Sequence, residues 1–159
     1  MQGSELSENE EKLKRHITIN RIPAEHLSFK QSCHSVEEAA AAAKAQPEDF
    51  VKNICLIDKN GKLVVAILKG EDKVSITKVG TVLETKNLRF ATPTEILEKT
   101  GYPCGGTPSF GYLATFLIDP RVLEKEIVFS GGGSEKSLTK ISSRELQKAN
   151  NGRISDVHK

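Results

Sequence analysis

The sequence predicts a single compact α/β domain of the α+β kind, with a mixed or antiparallel sheet surrounded by helices. Two apolar runs, Val51–Asp58 and Leu63–Gly70, flank Lys59-Asn60-Gly61-Lys62, and Asn-Gly supplies the positive φ values of a two-residue hairpin turn. Elsewhere strand-like and helix-like runs interleave without a regular βαβαβ rhythm. The chain has 159 residues, enough to bury a core without disulfide or metal staples.

In chain order, residues 1–6 read as a disordered start, and Ser7 with Glu10 forms a capping-box pattern for a helix to about His16, its apolar stripe at Leu13 and Ile17. Leu27 and Phe29 alternate with polar neighbours, as in a half-buried strand. Ser35-Val-Glu-Glu38 opens an alanine-rich helix over 36–45, stopped by Pro47. Beyond the hairpin, Val74, Ile76, Val79, Val82 and Leu83 fit a helix within 72–83, although β-branched residues disfavour it. Leu88–Ala91 reads as a short strand, and Thr92-Pro93 as the cap and first position of a helix. Strands are expected over 112–118, 126–130 and 137–141, a short capped helix after Asp119, and a helix over 143–148 capped by Ser142. This divides the chain into an N-terminal extension with a short helix (1–24), a folded domain (25–149) and a flexible tail (150–159).

A formal net charge of +2 with 28% charged residues is a mildly basic, well-solvated surface, not that of a sequence-independent DNA binder. Cys33, Cys55 and Cys104 form no CxxC pair, which argues against a disulfide framework or zinc site and for a reducing, cytoplasmic location. No apolar run approaches the roughly 20 residues of a membrane span, so no membrane partner is expected. Gly-x-Ser-x-Gly, His-Glu-x-x-His, a P-loop and a dinucleotide fingerprint are all missing, so neither a metal nor another cofactor is implied.

Thr100–Gly111 holds four glycines and two prolines, which cannot propagate a helix or a central strand and leave a shaped loop. It is either a plain connector or a row of backbone N–H groups offered to an anionic or carbonyl oxygen. Lys52, one residue inside an apolar strand, is either a solvated edge lysine or a point charge at a sheet end for a phosphate or carboxylate. His34 fits a helix-entry residue better than a base, and Cys104 a small loop residue better than a nucleophile.

Taken together, His34-Ser-Val-Glu-Glu-Ala-Ala, Val51-Lys52-Asn-Ile, the hairpin, Ala91-Thr-Pro-Thr-Glu-Ile-Leu-Glu-Lys-Thr-Gly-Tyr-Pro103, Gly105-Gly106, Gly111, Phe129-Ser-Gly-Gly-Gly133 and Ile141-Ser-Ser-Arg-Glu-Leu146 resemble the YbaK and prolyl-tRNA-synthetase-associated editing domains. The resemblance covers residues 29–149. It implies a mixed, curved central sheet and a deacylase acting in trans on mischarged tRNA, foremost tRNA(Pro) carrying alanine or cysteine. Lys52 would contact the terminal adenosine, and Gly105, Gly106 and Thr107 would orient the ester. His34, Cys104, Pro108, Ser109 and Ser130 would contact substrate. The implied partners are the acceptor end of aminoacyl-tRNA and an aminoacyl-tRNA synthetase. Attack by water, helped by the ribose 2′-hydroxyl or a substrate thiol, would need no catalytic triad. Two positions depart from the family pattern: Ser109 stands where a proline is common, and Ser137 where many relatives carry an aspartate. These departures leave open a non-catalytic module of the same fold that binds tRNA or a synthetase.

Overall fold

The computed structural model describes residues 7–159; the expectation for residues 1–6 lies outside them. Helix α1 (Glu8–Ile19) starts at Ser7, whose Oγ accepts the Glu10 N–H at 3.1 Å. The rest of the expected capping box is not made, because Glu10 turns its carboxylate to Ser134 Oγ at 2.9 Å. Leu13 and Ile17 enter the main core beside Tyr102 and Phe110, so α1 is part of the domain and not an appendage to it.

Strand β1 (Ala24–Ser28) leads to α2 (Val36–Ala43), where Ser35 and Glu38 complete a capping box. Strands β2 (Val51–Ile57) and β3 (Leu63–Lys69) form the predicted hairpin, but its loop is longer than expected. Asp58 N–H still bonds the Lys62 carbonyl, while Asp58 Oδ1 gathers the N–H groups of Asn60 (2.8 Å) and Lys62 (2.9 Å). That side-chain turn leaves only Gly61, at φ +78°, in the left-handed region.

Helix α3 (Ile76–Leu83) begins at Ser75, and β4 (Arg89–Phe90) precedes α4 (Pro93–Thr100), which has Thr92 as cap and Glu95 completing the box. The glycine-rich segment follows, then β5 (Thr115–Ile118), a 3-10 turn capped by Asp119, β6 (Ile127–Gly131), β7 (Ser137–Ser142) and α5 (Ser143–Asn150).

The strands form a mixed five-stranded sheet and an antiparallel three-stranded sheet β1-β7-β6. The larger sheet is completed by β8 (Arg153–Ile154), giving the order β4-β2-β3-β5-β8. The sheets meet where Phe50 bridges Phe129 and their rings stack at 5.0 Å.

Residues 150–159, expected as a loose tail, are instead built into the fold. β8 pairs in parallel with β5, and Val157 is fully buried. Buried Asp119 supplies the reason. Its Oδ2 accepts from the N–H groups of Val157 (2.9 Å) and His158 (3.1 Å) and from His158 Nδ1 (2.7 Å). A carboxylate in the interior needs such donors, and the C-terminal segment brings three of the four, the Arg121 N–H being the other.

Candidate functional site

A cavity of about 290 Å³ opens at the seam between the two sheets. The 33–36 loop, the start of β2, the Cys104–Thr107 segment, and the facing ends of β6 and β7 wall it. Lys52 lies in its wall with its neighbours Val51, Asn53 and Ile54, because the first residues of β2, where Val51 pairs with Lys69, form that side of the cavity. Burial pushes the Lys52 ammonium below its ordinary value; Asp72 pulls it back up and Lys73 adds to the depression. Asp72 itself is held by Arg121 Nε at 2.7 Å and makes no ion pair with Lys52.

Opposite stands the glycine loop, pressed against the turn after β6. Side chains at Gly106 or Gly131 would run into backbone, that of Ser134 in the first case and of Thr107 in the second. The glycines therefore let two peptide segments touch, and Gly133 N–H bonds the Gly106 carbonyl at 2.8 Å. Gly106 also spends its own N–H on Pro103, and Thr107 spends its hydroxyl there too, at 2.9 Å. Gly106 is thus a packing residue, and of the three loop residues expected at the ester only Gly105 and Thr107 line the cavity.

His34, Lys52, Cys104, Gly105, Thr107 and Ser130 are brought together around the cavity. Pro108 and Ser109 are not: both are buried behind it, with the Pro108 carbonyl taken by Tyr112 Oη at 2.7 Å. Ser109 belongs to a closed ring of hydrogen bonds. Its Oγ donates to Asn53 Oδ1 (2.7 Å), Asn53 Nδ2 donates to Ser130 Oγ (3.2 Å), and Ser130 Oγ donates back to Ser109 Oγ (2.6 Å). The second Asn53 amide hydrogen reaches the Thr107 carbonyl at 2.9 Å. Every hydroxyl hydrogen is used within the ring, so Ser109 and Ser130 brace the loop instead of offering hydrogens to a ligand. Asn53 escaped the sequence reading, although an amide among apolar strand residues next to Lys52 was the signal.

At the cavity mouth His34 Nδ1 lies 3.6 Å from Glu135 Oε1, both side chains more than half exposed. A larger groove of about 560 Å³ runs along α3 to Leu88 and is lined neither by Lys52 nor by the glycine loop. Among the described residues one group could gather a cation, Asp119, Asp156 and His158. Asp119 already accepts the four N–H groups of Arg121, Val157 and His158, and none of the three residues lines the cavity.

The family profile of the aminoacyl-tRNA editing domain matches residues 30–149, three quarters of the chain. The chain belongs to the aminoacyl-tRNA editing domain family. This editing domain is 36% identical over 73 residues to a proline–tRNA ligase of Solidesulfovibrio magneticus, 45% of the chain but 12% of the ligase. It is 24% identical over 136 residues to the uncharacterized protein YwhH of Bacillus subtilis, covering 84% of the chain and 86% of that protein. Its fold matches a crystal structure designated provisionally as a trans-editing enzyme for prolyl-tRNA synthetase, with a TM-score of 0.90 and 22% identity over 98% of the chain and 99% of the other. A hypothetical protein of known structure superimposes with a TM-score of 0.85 at 27% identity, over 93% and 99% of the two chains. The editing domain thus spans about an eighth of the ligase and most of the length of YwhH and of the two superimposed structures. Among the described residues no helix is long and apolar enough to cross a membrane.

Proposed function

We propose that this editing domain acts in trans and hydrolyses the ester of mischarged aminoacyl-tRNA, foremost tRNA(Pro) carrying alanine or cysteine. The observation that carries the reading is the joining, in one 290 Å³ cavity, of the Lys52 ammonium with the backbone of Gly105 and Thr107. Lys52 anchors the phosphate of the terminal nucleotide as a point charge, and desolvation strengthens that attraction. The peptide N–H groups at Gly105 and Thr107 hold the ester carbonyl and stabilise the charge that develops on it. With the carbonyl fixed, water attacks with the neighbouring ribose 2′-hydroxyl assisting, and the tRNA leaves as an alcohol. The protein contributes positioning in place of a general base.

Selection follows from volume. A hydrophobic wall discriminates by about 1–3 kcal/mol per methylene, enough to favour a small side chain over prolyl. The free-standing relatives of matching length support action outside a synthetase. The test is deacylation of tRNA(Pro) charged with alanine, cysteine, serine or proline by the wild type and by Lys52→Ala. Hydrolysis of a mischarged species, sparing of prolyl-tRNA and a loss of about 100-fold or more in Lys52→Ala are expected, the scale of misplacing the substrate once its anchor is gone. Binding of tRNA or of a synthetase with no hydrolysis of any species would replace this reading with that of a non-catalytic adaptor.

A further inference from the structure

Glu10 is the one described side chain with a buried polar atom left without a hydrogen-bond partner, its Oε1. The residue is 4% exposed and comes from α1, outside the segment matched by the family profile. An orphaned carboxylate oxygen is costly unless the site uses it. Nearby, His26 Nε2 lies 3.9 Å from Oε1 and donates to the Gly132 carbonyl at 2.8 Å. A carbonyl only accepts, so this nitrogen carries the proton. Glu10 and His26 thus both grip the turn between β6 and β7.

The other oxygen, Oε2, fixes the direction of a hydroxyl chain that ends at the cavity. Ser134 Oγ must donate to the carboxylate, at 2.9 Å, which spends its only hydrogen. Ser137 Oγ, 2.9 Å from Ser134 Oγ, must then donate towards Ser134, since its other acceptor is the Ser134 carbonyl at 3.3 Å. Ser134 N–H occupies one lone pair of Ser137 Oγ at 3.1 Å. What remains on Ser137, a residue of the cavity wall, is a lone pair and no hydrogen.

We infer that Glu10 is a positioning residue: acting through Ser134, it makes Ser137 an acceptor-only, electron-rich point in the cavity wall that takes the α-ammonium group of the aminoacyl substrate. This deepens the proposed function and rests on it for the nature of the ligand. A cation is the donor best matched to a hydroxyl polarised by a buried carboxylate, because charge-assisted hydrogen bonds are roughly twice as strong as neutral ones.

Two probes separate this role from packing: adenosine bearing a 3′-amide-linked alanyl group, and its propionyl counterpart, which lacks only the amine. Calorimetric titration of the wild type is expected to favour the alanyl compound by about tenfold, the scale of one hydrogen bond to a charged group. In Glu10→Gln, which keeps the shape and removes the charge, that preference falls to about twofold or less while propionyl affinity is unchanged. Ser134→Ala, which breaks the chain without altering α1, gives the same result and serves if Glu10→Gln fails to fold. A purely structural role would weaken both probes equally or neither. An alanyl preference undiminished in the variants, or absent from the wild type, overturns the inference. Deacylation of charged tRNA(Pro) by the same wild-type protein judges the proposed function separately, since the probes cannot be hydrolysed as esters.

Discussion

Replacing Asn53 by alanine removes the centre of the ring that holds three segments together: β2, the glycine loop at Thr107 and Ser109, and β6 at Ser130. The Asn53 amide donates two of these bonds and accepts the third. After the change Ser109 and Ser130 still satisfy one another across 2.6 Å, but the Thr107 carbonyl loses its donor in a part-buried position. Three lost bonds at about 1 kcal/mol each, with an unsatisfied carbonyl at the upper end of that scale, predict a destabilisation of about 3 kcal/mol. For a chain of this size that corresponds to a melting temperature lower by roughly 6–12 °C. The assay is urea unfolding of the wild type, Asn53→Ala, Ser109→Ala and the double variant. A coupling energy of about 1 kcal/mol or more between the two sites is expected, because they share one hydrogen-bond ring. The loop should also loosen, so under the proposed function deacylation by Asn53→Ala should fall with its lysine intact. A loss of stability under about 0.5 kcal/mol, or strict additivity of the two changes, would refute the ring as the brace of the loop.

The remaining predictions concern the C-terminal segment and the thiols. Burial pushes the Asp119 carboxyl up, but the His158 ring with the N–H groups of Arg121 and Val157 outweighs it and holds the group below its ordinary value. A carboxyl depressed in the folded state adds stability that is present above its unfolded value, near about 3.9, and is lost as pH falls through the folded value. His158→Ala should therefore move the acid-unfolding midpoint to higher pH, as followed by circular dichroism; an unchanged midpoint would remove His158 from the account. A chain shortened to end at Gly152 should melt well below the full chain, since it loses the fully buried Val157 and three of Asp119's donors. Burial, with Glu38 adding, pushes the Cys33 thiol up to about 11, and burial, with Cys104 adding, pushes Cys55 up to about 12. Cys104 is exposed. Brief alkylation of the native protein at pH 8 should thus add one group per chain, at Cys104, as read by mass spectrometry, and rapid labelling of Cys55 would contradict its burial.

Local chemistry made much of this fold legible in the sequence. The caps at Ser35, Thr92 and Ser142 are settled by residues three positions away, and each helix starts where its cap predicts. The hairpin strands were equally plain, but their loop length depended on the side chain of Asp58, a bond that Asn-Gly spacing does not encode. The C-terminal segment misled because its residues are mostly polar and its anchor, Asp119, lies 38 positions earlier. The site divides in the same way. Lys52 and the glycine loop stand out by residue type, whereas the service of Asn53 and Glu10 depends on partners 54 and 124 positions away. The family resemblance implied Pro108 and Ser109 as ligand contacts, but the chain dives into the core there, with Phe110 fully buried.

The seam between the two sheets has a consequence for how the chain acquires its native state. The β2–β3 hairpin pairs residues close in sequence and can form early, whereas Ala24 of β1 must find Ile141 of β7, and β5 joins β3 through a long parallel crossover. Loop closure over such separations is slow and is rewarded only when it is complete. The cavity draws its walls from both sheets, so it exists only once the most distant pairings have closed. During refolding, the spectroscopic signature of the hairpin should return well before the chain regains affinity for any ligand. A half-folded chain would then hold no partial site that could capture a ligand.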